Sequence, residues 1–380
     1  MCIRDRRFDL TVPLAKYVAA NYAKLAFPFR RYQIGKVWRG ERAQRGRFRE
    51  FCQADIDVIG DGRLDIMNEA EIPSIICRAF TRLGLRDFTI RINNRKVLGG
   101  FFAMHGMGAP AEILRTVDKL EKIGADKVRE ILLGDCGLDE DQAAAVLSFT
   151  GFAGTTAEKL AFLEGMRGKN ELFDTGVDEL RTVAEALPGL GVPEERFAID
   201  LTIARGLDYY TGTVYETVMT DHPEIGSVCS GGRYDNLAGY YTDRTLPGVG
   251  ISIGVTRLFY VLQEQDMLSK DILTAPAEAV VIPMDTDCMA FAVETATALR
   301  AEGVKTQIYF ENRKFKQKIG FADKSGIPFA LIIGGDEAAA GVVSLKDMAA
   351  GTQEKLTPAE AAAKINAALA PRRRAQAIRG

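Results

Sequence analysis

Residues 30–58 read RRYQIGKVWRGERAQRGRFREFCQADIDV, and the fold turns on how this stretch is read. Alternation says strand. Tyr32, Ile34 and Trp38 share one parity and Gln33, Val37, Arg39 and Glu41 the other, as in a strand whose successive side chains leave from opposite faces. A return strand is expected from about Phe48 to Ile59, with Phe51, Gln53, Asp55 and Asp57 on one face. Between Arg30 and Arg49 eight of twenty residues are Arg or Lys and only Glu41 is acidic, although the chain's net charge is -2. If the hairpin pairs so that the face of Gln53 and Asp57 continues that of Arg39, one surface presents guanidinium, amide and carboxylate. Such a set holds a phosphate and an amine side by side, because Arg forks onto phosphate oxygens and a carboxylate accepts from ammonium. A solvated charged hairpin has the same composition, and the charge run alone leaves both readings open.

Working outward, 380 residues with 47% hydrophobic content are enough for two or three cores. Six cysteines without a CxxC pair, and only two histidines, His105 and His222, argue against a structural zinc site or a disulfide framework. Neither histidine has a partner at metal or triad spacing, so neither is assigned a catalytic role. The first ten residues, MCIRDRRFDL, are charged where a signal peptide is apolar, and no run approaches the roughly 18 apolar residues of a membrane span. The expectation is a soluble, cytoplasmic protein with no membrane partner.

Three regions follow from the patterning. Residues 1–96 and 195–269 carry strand-like alternation with interspersed helices. Residues 97–194 between them read as helical, with Ile113, Leu114, Val117, Leu120 and Ile123 at helical spacing. Lys270 to Ala277 reads as a linker. In 276–372 the segments AVVIPMD, VKTQIYF, FALIIGG and GVVSLKDM read as strands alternating with helices, an α/β layer domain. Residues 373–380 close a basic stretch, PRRRAQAIRG, that reads as a frayed tail. Gly248, Gly250 and Gly254 do not give the spacing of a dinucleotide fold, and no phosphate-binding G-x-x-x-x-G-K-[ST] loop occurs.

Longer motifs decide between the two readings of the hairpin. Arg39-Gly40-Glu41-Arg42 followed by Gly46-Arg47-Phe48-Arg49-Glu50-Phe51 and Gln53 resembles motif 2 of class II aminoacyl-tRNA synthetases. Gly248 to Leu258, GVGISIGVTRL, resembles motif 3. Ala204 to Gly212, ARGLDYYTG, and Gly231 to Asp235, GGRYD, are similar to the two signatures particular to the histidyl-tRNA synthetase family. The resemblance implies an α+β catalytic core on a mixed antiparallel sheet, the class II synthetase fold, from 1–96 and 195–269. It further implies a helical insertion domain at 97–194 and a C-terminal α/β anticodon-binding domain at 276–372. In this family motif 1 and the first catalytic elements precede the segment matching Arg7 to Pro13. Here six residues precede it, so the resemblance reads the chain as N-terminally truncated, which leaves its dimerisation and turnover open.

The activity implied is ATP- and Mg2+-dependent activation of L-histidine, then its transfer to the 3′ end of a histidine tRNA, in a protein that is a homodimer when full length. Activation brings a carboxylate in line with the α-phosphate of ATP, so the site must neutralise and align two repelling anions. By resemblance, Arg39 serves the α-phosphate and carboxylate, and Arg257 serves the γ-phosphate with the help of a helix N-terminus. Arg205 stabilises the charge developing in the transition state. Glu41 orients adenine or assists a magnesium ion held mainly by the ATP phosphates. Asp9, Thr11 and Gln53 hold the substrate ammonium. A neutral imidazole offers one donor and one acceptor, which Asp57 and Tyr210 match, with Tyr209 and Tyr234 lining the pocket. Relatives often carry glutamate where Asp57 stands, so a shorter reach or an intervening water is expected. Arg42, Arg45 and Arg47 face the tRNA acceptor stem.

Two further readings share these motifs. One is the non-catalytic paralogue that regulates ATP phosphoribosyltransferase in histidine biosynthesis; it usually lacks the C-terminal domain and often loses the ATP arginines. The other is a tRNA-sensing pseudo-synthetase, which predicts losses in RGLDYY or GGRYD. Arg39, Arg205, Arg257 and both signatures are present.

Overall fold

The hairpin pairs as the alternation predicts. In the computed structural model, β1 (Phe29–Trp38) runs antiparallel to β2 (Glu50–Ile59), with Arg31 opposite Asp57, Gln33 opposite Asp55 and Gly35 opposite Gln53. The structure describes residues 6–40, 46–108, 110–203, 209–268 and 275–379. Glu41, Arg42, Arg45 and Arg205, with most of the expected linker, lie outside the described residues.

The chain divides into two units, Met1–Met267 and Leu268–Gly380. Unit 1 is built on a seven-stranded sheet completed by β3 (Phe88–Asn94), β4 (Phe197–Ile199), β5 (Thr213–Met219), β6 (Cys229–Tyr234) and β7 (Gly248–Ile253). The order is β1-β2-β7-β6-β5-β3-β4, antiparallel throughout except for the parallel pair β3–β4. This is the mixed antiparallel sheet the sequence implied. Helices α1 (Thr11–Asn21) and α2 (Met67–Arg82) come from the first segment. Helices α3 to α9 follow β3, as Arg95–Met104, Pro110–Val117, Leu120–Ile123, Ala125–Gly134, Glu140–Thr150, Thr156–Glu164 and Glu171–Ala186, and α10 (Val255–Glu264) follows β7.

One face of the sheet is apolar and covered. Ile72, Ile76 and Phe80 of α2, Val177 and Leu180 of α9, and Ile90, Ile92, Val249 and Ile251 of the strands form a continuous buried core. Several helix starts in 95–186 carry their own signals. Asp139 and Gln142 form a capping box at α7, Thr155 and Glu158 another at α8, and Asn170 caps α9. The opposite face carries the candidate site residues and is buried too, although its groups are polar: Gln53 is 7% exposed, Asp55 and Asp57 2% each. On β1 the outer, apolar parity is the one left open, with Tyr32 80% and Ile34 65% exposed. β1 is also an edge strand of the sheet.

Unit 2 has a five-stranded sheet formed by β8 (Ala279–Pro283), β9 (Thr306–Ile308), β10 (Phe329–Ile333), β11 (Val343–Asp347) and β12 (Gln353–Leu356), in the order β12-β11-β10-β8-β9. The pairs β8–β9 and β8–β10 are parallel, and β10–β11 and β11–β12 antiparallel. Helices α11 (Met289–Ala301), α12 (Phe315–Lys324), α13 (Gly335–Ala340) and α14 (Pro358–Arg379) complete it. Both sheet faces are apolar. Val281, Leu331 and Ile333 pack with Ala292, Ala296 and Ile365 on one side, while Val280, Ile282 and Ala330 meet Ala322 and Ile327 on the other.

The structure corrects the reading of the tail 373–380. Helix α14 continues to Arg379, and Arg373 joins the folded unit: its Nε and Nη2 donate to the two carboxylate oxygens of the buried Glu278 at 2.8 and 2.5 Å. A bidentate guanidinium–carboxylate pair holds the helix where composition suggested fraying.

Candidate active site

The polar sheet face closes one wall of a cavity of about 370 Å³. Arg39, Phe51, Gln53 and Asp55 come from the hairpin, Asp9 and Thr11 from the start of α1, Tyr209 and Tyr210 from the segment before β5, and Arg257 from the first turn of α10. Arg47 and Ser252 also line it. Residues nearly two hundred positions apart meet here because β2 is hydrogen-bonded to β7, Asp55 opposite Ser252 and Asp57 opposite Gly250.

At the cationic end, Arg39 extends the hairpin, its N–H donating to the Arg49 carbonyl at 2.9 Å. Its guanidinium lies over the rings of Phe8 and Phe51, 4.5 and 5.1 Å from their centroids, and Nε donates to the Phe8 carbonyl at 3.4 Å. Two aromatic faces leave the planar group pre-oriented. Arg257 Nη1 donates to the Ser227 carbonyl at 2.7 Å, and the neighbouring Thr256 hydroxyl accepts the Cys52 N–H at 2.8 Å, pinning the start of α10 to β2.

At the anionic end, Asp9 Oδ1 accepts from the Val12 N–H at 3.0 Å and Oδ2 faces the Tyr209 hydroxyl at 3.5 Å. Tyr209 and Tyr210 meet edge to face, 5.0 Å between centroids. Gln53 Nε2 donates to Ser252 Oγ at 2.6 Å, and Ser252 Oγ donates to Asp55 Oδ1 at 2.5 Å. Gln53 Oε1 is buried and has no hydrogen-bond partner among the described residues.

Asp57 and Tyr234 are not part of the cavity wall. Tyr234 donates its hydroxyl to Asp57 Oδ1 at 2.9 Å, and Arg31 Nη2 stands 3.0 Å from Asp57 Oδ2. Arg31 is fixed in turn by donation to Gln33 Oε1 at 2.7 Å and the Leu10 carbonyl at 3.0 Å. Gly250 is required opposite Asp57, since a Cβ there would lie 2.2 Å from Asp57 Oδ1. Burial pushes the Asp57 carboxyl up to about 7, with Arg31 opposing and Asp55 reinforcing the shift. Burial likewise raises Asp55 to about 6 against the Ser252 hydrogen bond. The Tyr209 and Tyr210 hydroxyls are raised by burial and remain donors.

Of the residues singled out from sequence, Asp9, Thr11, Arg39, Arg47, Gln53, Tyr209, Tyr210 and Arg257 line one cavity, and Asp57 and Tyr234 pair in the sheet next to Asp55. Phe8, Asp55 and Ser252 were missed as site residues. Parity had placed Asp55 on this face, and Ser252 lies inside the motif 3 stretch, but only the β2–β7 register connects them.

A family model described as histidyl-tRNA synthetase matches residues 6–258, and one described as an anticodon binding domain matches residues 278–368. The histidine–tRNA ligase of Clostridium tetani is 50% identical over 355 residues, which cover 93% of this chain and 80% of the relative. The crystal structure of histidyl-tRNA synthetase from Nostoc sp. PCC 7120 superposes with a TM-score of 0.82 at 42% identity, covering 96% of this chain and 83% of that one. A structure described as an ATP phosphoribosyltransferase regulatory subunit/histidyl-tRNA synthetase from Bacillus halodurans C gives 0.65 at 23% identity, a likeness of fold alone. With two thirds of its length matched by that family's model and a relative half identical across nearly all of it, the chain belongs to the histidyl-tRNA synthetase family.

Proposed function

We propose that this chain is a histidine–tRNA ligase, which activates L-histidine with ATP to histidyl adenylate and pyrophosphate and then transfers histidine to the 3′ end of its tRNA. The observation that carries the reading is the polarity of the cavity: Arg39 and Arg257 supply cations for phosphates, while Asp9 and Gln53 Oε1, which has no partner among the described residues, supply acceptors for an ammonium. An amino acid bound by its ammonium at that end directs its carboxylate toward Arg39. The stacked guanidinium lowers the repulsion between this carboxylate and the α-phosphate without moving. Arg205 stabilises the developing charge, and Glu41 attends the adenine or the metal. Tyr210 presents its hydroxyl to the imidazole. Asp57, one layer back, acts through an intervening water.

Magnesium would be held mainly through the ATP phosphates and would offset their charge. In this reading 1–96 with 195–269 form the catalytic core, 97–194 the helical insertion and 276–372 the anticodon-binding domain. Arg42, Arg45 and Arg47 meet the acceptor stem, and the full-length protein is a cytoplasmic homodimer. No helix among the described residues is long and apolar enough to cross a membrane.

ATP–pyrophosphate exchange with each of the twenty amino acids tests the proposal. Exchange with histidine alone is expected. Silence with all twenty, together with stimulation of an ATP phosphoribosyltransferase, would assign the chain to the regulatory paralogue instead.

A further inference from the structure

The hydrogen bonds around Gln53 have a direction. An ionised carboxylate only accepts, so the single proton of the Ser252 hydroxyl must point at Asp55 Oδ1, 2.5 Å away. The Ser252 oxygen is then left to accept, and only the amide nitrogen of Gln53 can donate to it, as it does at 2.6 Å. Gln53 Oε1 is thereby forced to the other side, where it is buried without a partner among the described residues. Gln53 and Asp55 are both more than nine-tenths buried, which strengthens the bonds that set this order.

We propose that Asp55 is a positioning residue: through the Ser252 hydroxyl it fixes the orientation of the Gln53 amide, so that Gln53 presents an acceptor to the α-ammonium of the amino acid. The proposal rests on the histidine-ligase reading and assigns to Asp55 no contact with substrate. Neutralising Asp55 frees the relay to run backwards. An Asn at 55 can donate to Ser252 Oγ, the hydroxyl can donate to Gln53 Oε1, and the amide then turns its NH2 toward the ammonium, setting donor against donor. Ser252→Ala removes the link without touching the carboxylate, which makes it an independent probe.

The experiment measures exchange kinetics for the wild-type chain, Asp55→Asn, Ser252→Ala and the double variant, with inhibition by two analogues. Histidinol keeps the amine and imidazole; imidazolepropionate keeps the imidazole and carboxylate but has no amine. Each single variant is expected to raise the KM for histidine and the Ki of histidinol about tenfold, with kcat and the KM for ATP within about twofold. The Ki of imidazolepropionate should not move, and the double variant should be no worse than the worse single one. Equal weakening of imidazolepropionate would overturn the relay and make Asp55 an imidazole or packing group. Additive effects of the two substitutions, or none, would overturn it as well. A variant that misfolds loses both analogues and ATP together, and the other single variant then decides. A wild-type chain that neither exchanges with histidine nor is inhibited by histidinol would instead sink the ligase reading, and the relay with it.

Discussion

The two sheets of this molecule bury their strands in opposite ways. In unit 2, β8 and β10 read AVVIP and FALII, every residue is buried, and alternate side chains enter two apolar layers under helices. In unit 1, β2 reads EFCQADIDVI: one parity joins the apolar core through Val58, while the other buries Gln53, Asp55 and Asp57. Buried carboxylates carry a desolvation penalty that an apolar residue of similar size would avoid. Here Arg31, Tyr234 and Ser252 offset part of that penalty. A strand that keeps such a face is specialised for a ligand, and one that does not is specialised for cohesion.

The comparison breaks first, and by most, at the cationic end of unit 1. Arg39→Ala should lower histidine-dependent exchange about a thousandfold, on the order of 4 kcal/mol of transition-state stabilisation, and leave the melting transition in place. If the variant loses its fold rather than its rate, the polar face is structural and the contrast between the sheets fails. The converse substitution belongs in unit 2. Leu331 is fully buried in the middle of β10, and Leu331→Ala should cost about 3 kcal/mol of that unit's stability while exchange stays within about twofold of the wild type. Differential scanning calorimetry beside the exchange assay reads both quantities.

How much of this was legible follows the same division. The hairpin and the polar parity of its return strand were readable because alternation over ten residues per strand has one physical meaning, whereas the register that joins that parity to Arg39 came from the pairing itself. The strands of unit 2 were readable, except β12, whose QEKL alternates between exposed and half-buried at a sheet edge and lacks an apolar run. What stayed hidden depended on partners distant in sequence. Asp55 gains its meaning from Ser252, 197 positions away, and Arg373 is ordered by Glu278, 95 positions away. The depth of Asp57 was hidden for the same reason, since Arg31 and Tyr234 hold it back from the cavity wall. The open parity of β1 was hidden as well, since alternation separates two faces without saying which of them is covered.

The third test sharpens the comparison through pH, because the buried Asp55 and Asp57 of unit 1 and the paired Glu278 and Glu337 of unit 2 are shifted in opposite senses. In unit 1 burial raises Asp55 to about 6 and Asp57 to about 7. A folded-state value above the unfolded one gives a contribution that is present in full below the ordinary carboxylate range and lost as pH rises through the folded values. Between pH 5 and pH 8 these two groups should therefore lower the stability of unit 1. In unit 2 the signs reverse. Burial would raise Glu278, but Arg373 and the Lys305 N–H outweigh it and hold the carboxyl below its usual range, and a Lys355 hydrogen bond lowers Glu337. These contributions persist above the ordinary range and fade only in acid, so across pH 5 to 8 they should not change. Trp38 is the chain's single tryptophan and lies in unit 1, which makes its fluorescence a local reporter. Its melting midpoint should rise from pH 8 to pH 5, and saturating histidine should flatten the trend, since a bound ammonium favours the ionised carboxylates. A Trp38 midpoint that falls toward pH 5 would mean that Arg31 and the hydroxyls overcome burial at Asp55 and Asp57. The two sheets would then titrate alike, and the polar face of β2 would be an ion-paired scaffold with no desolvation held in reserve for a ligand.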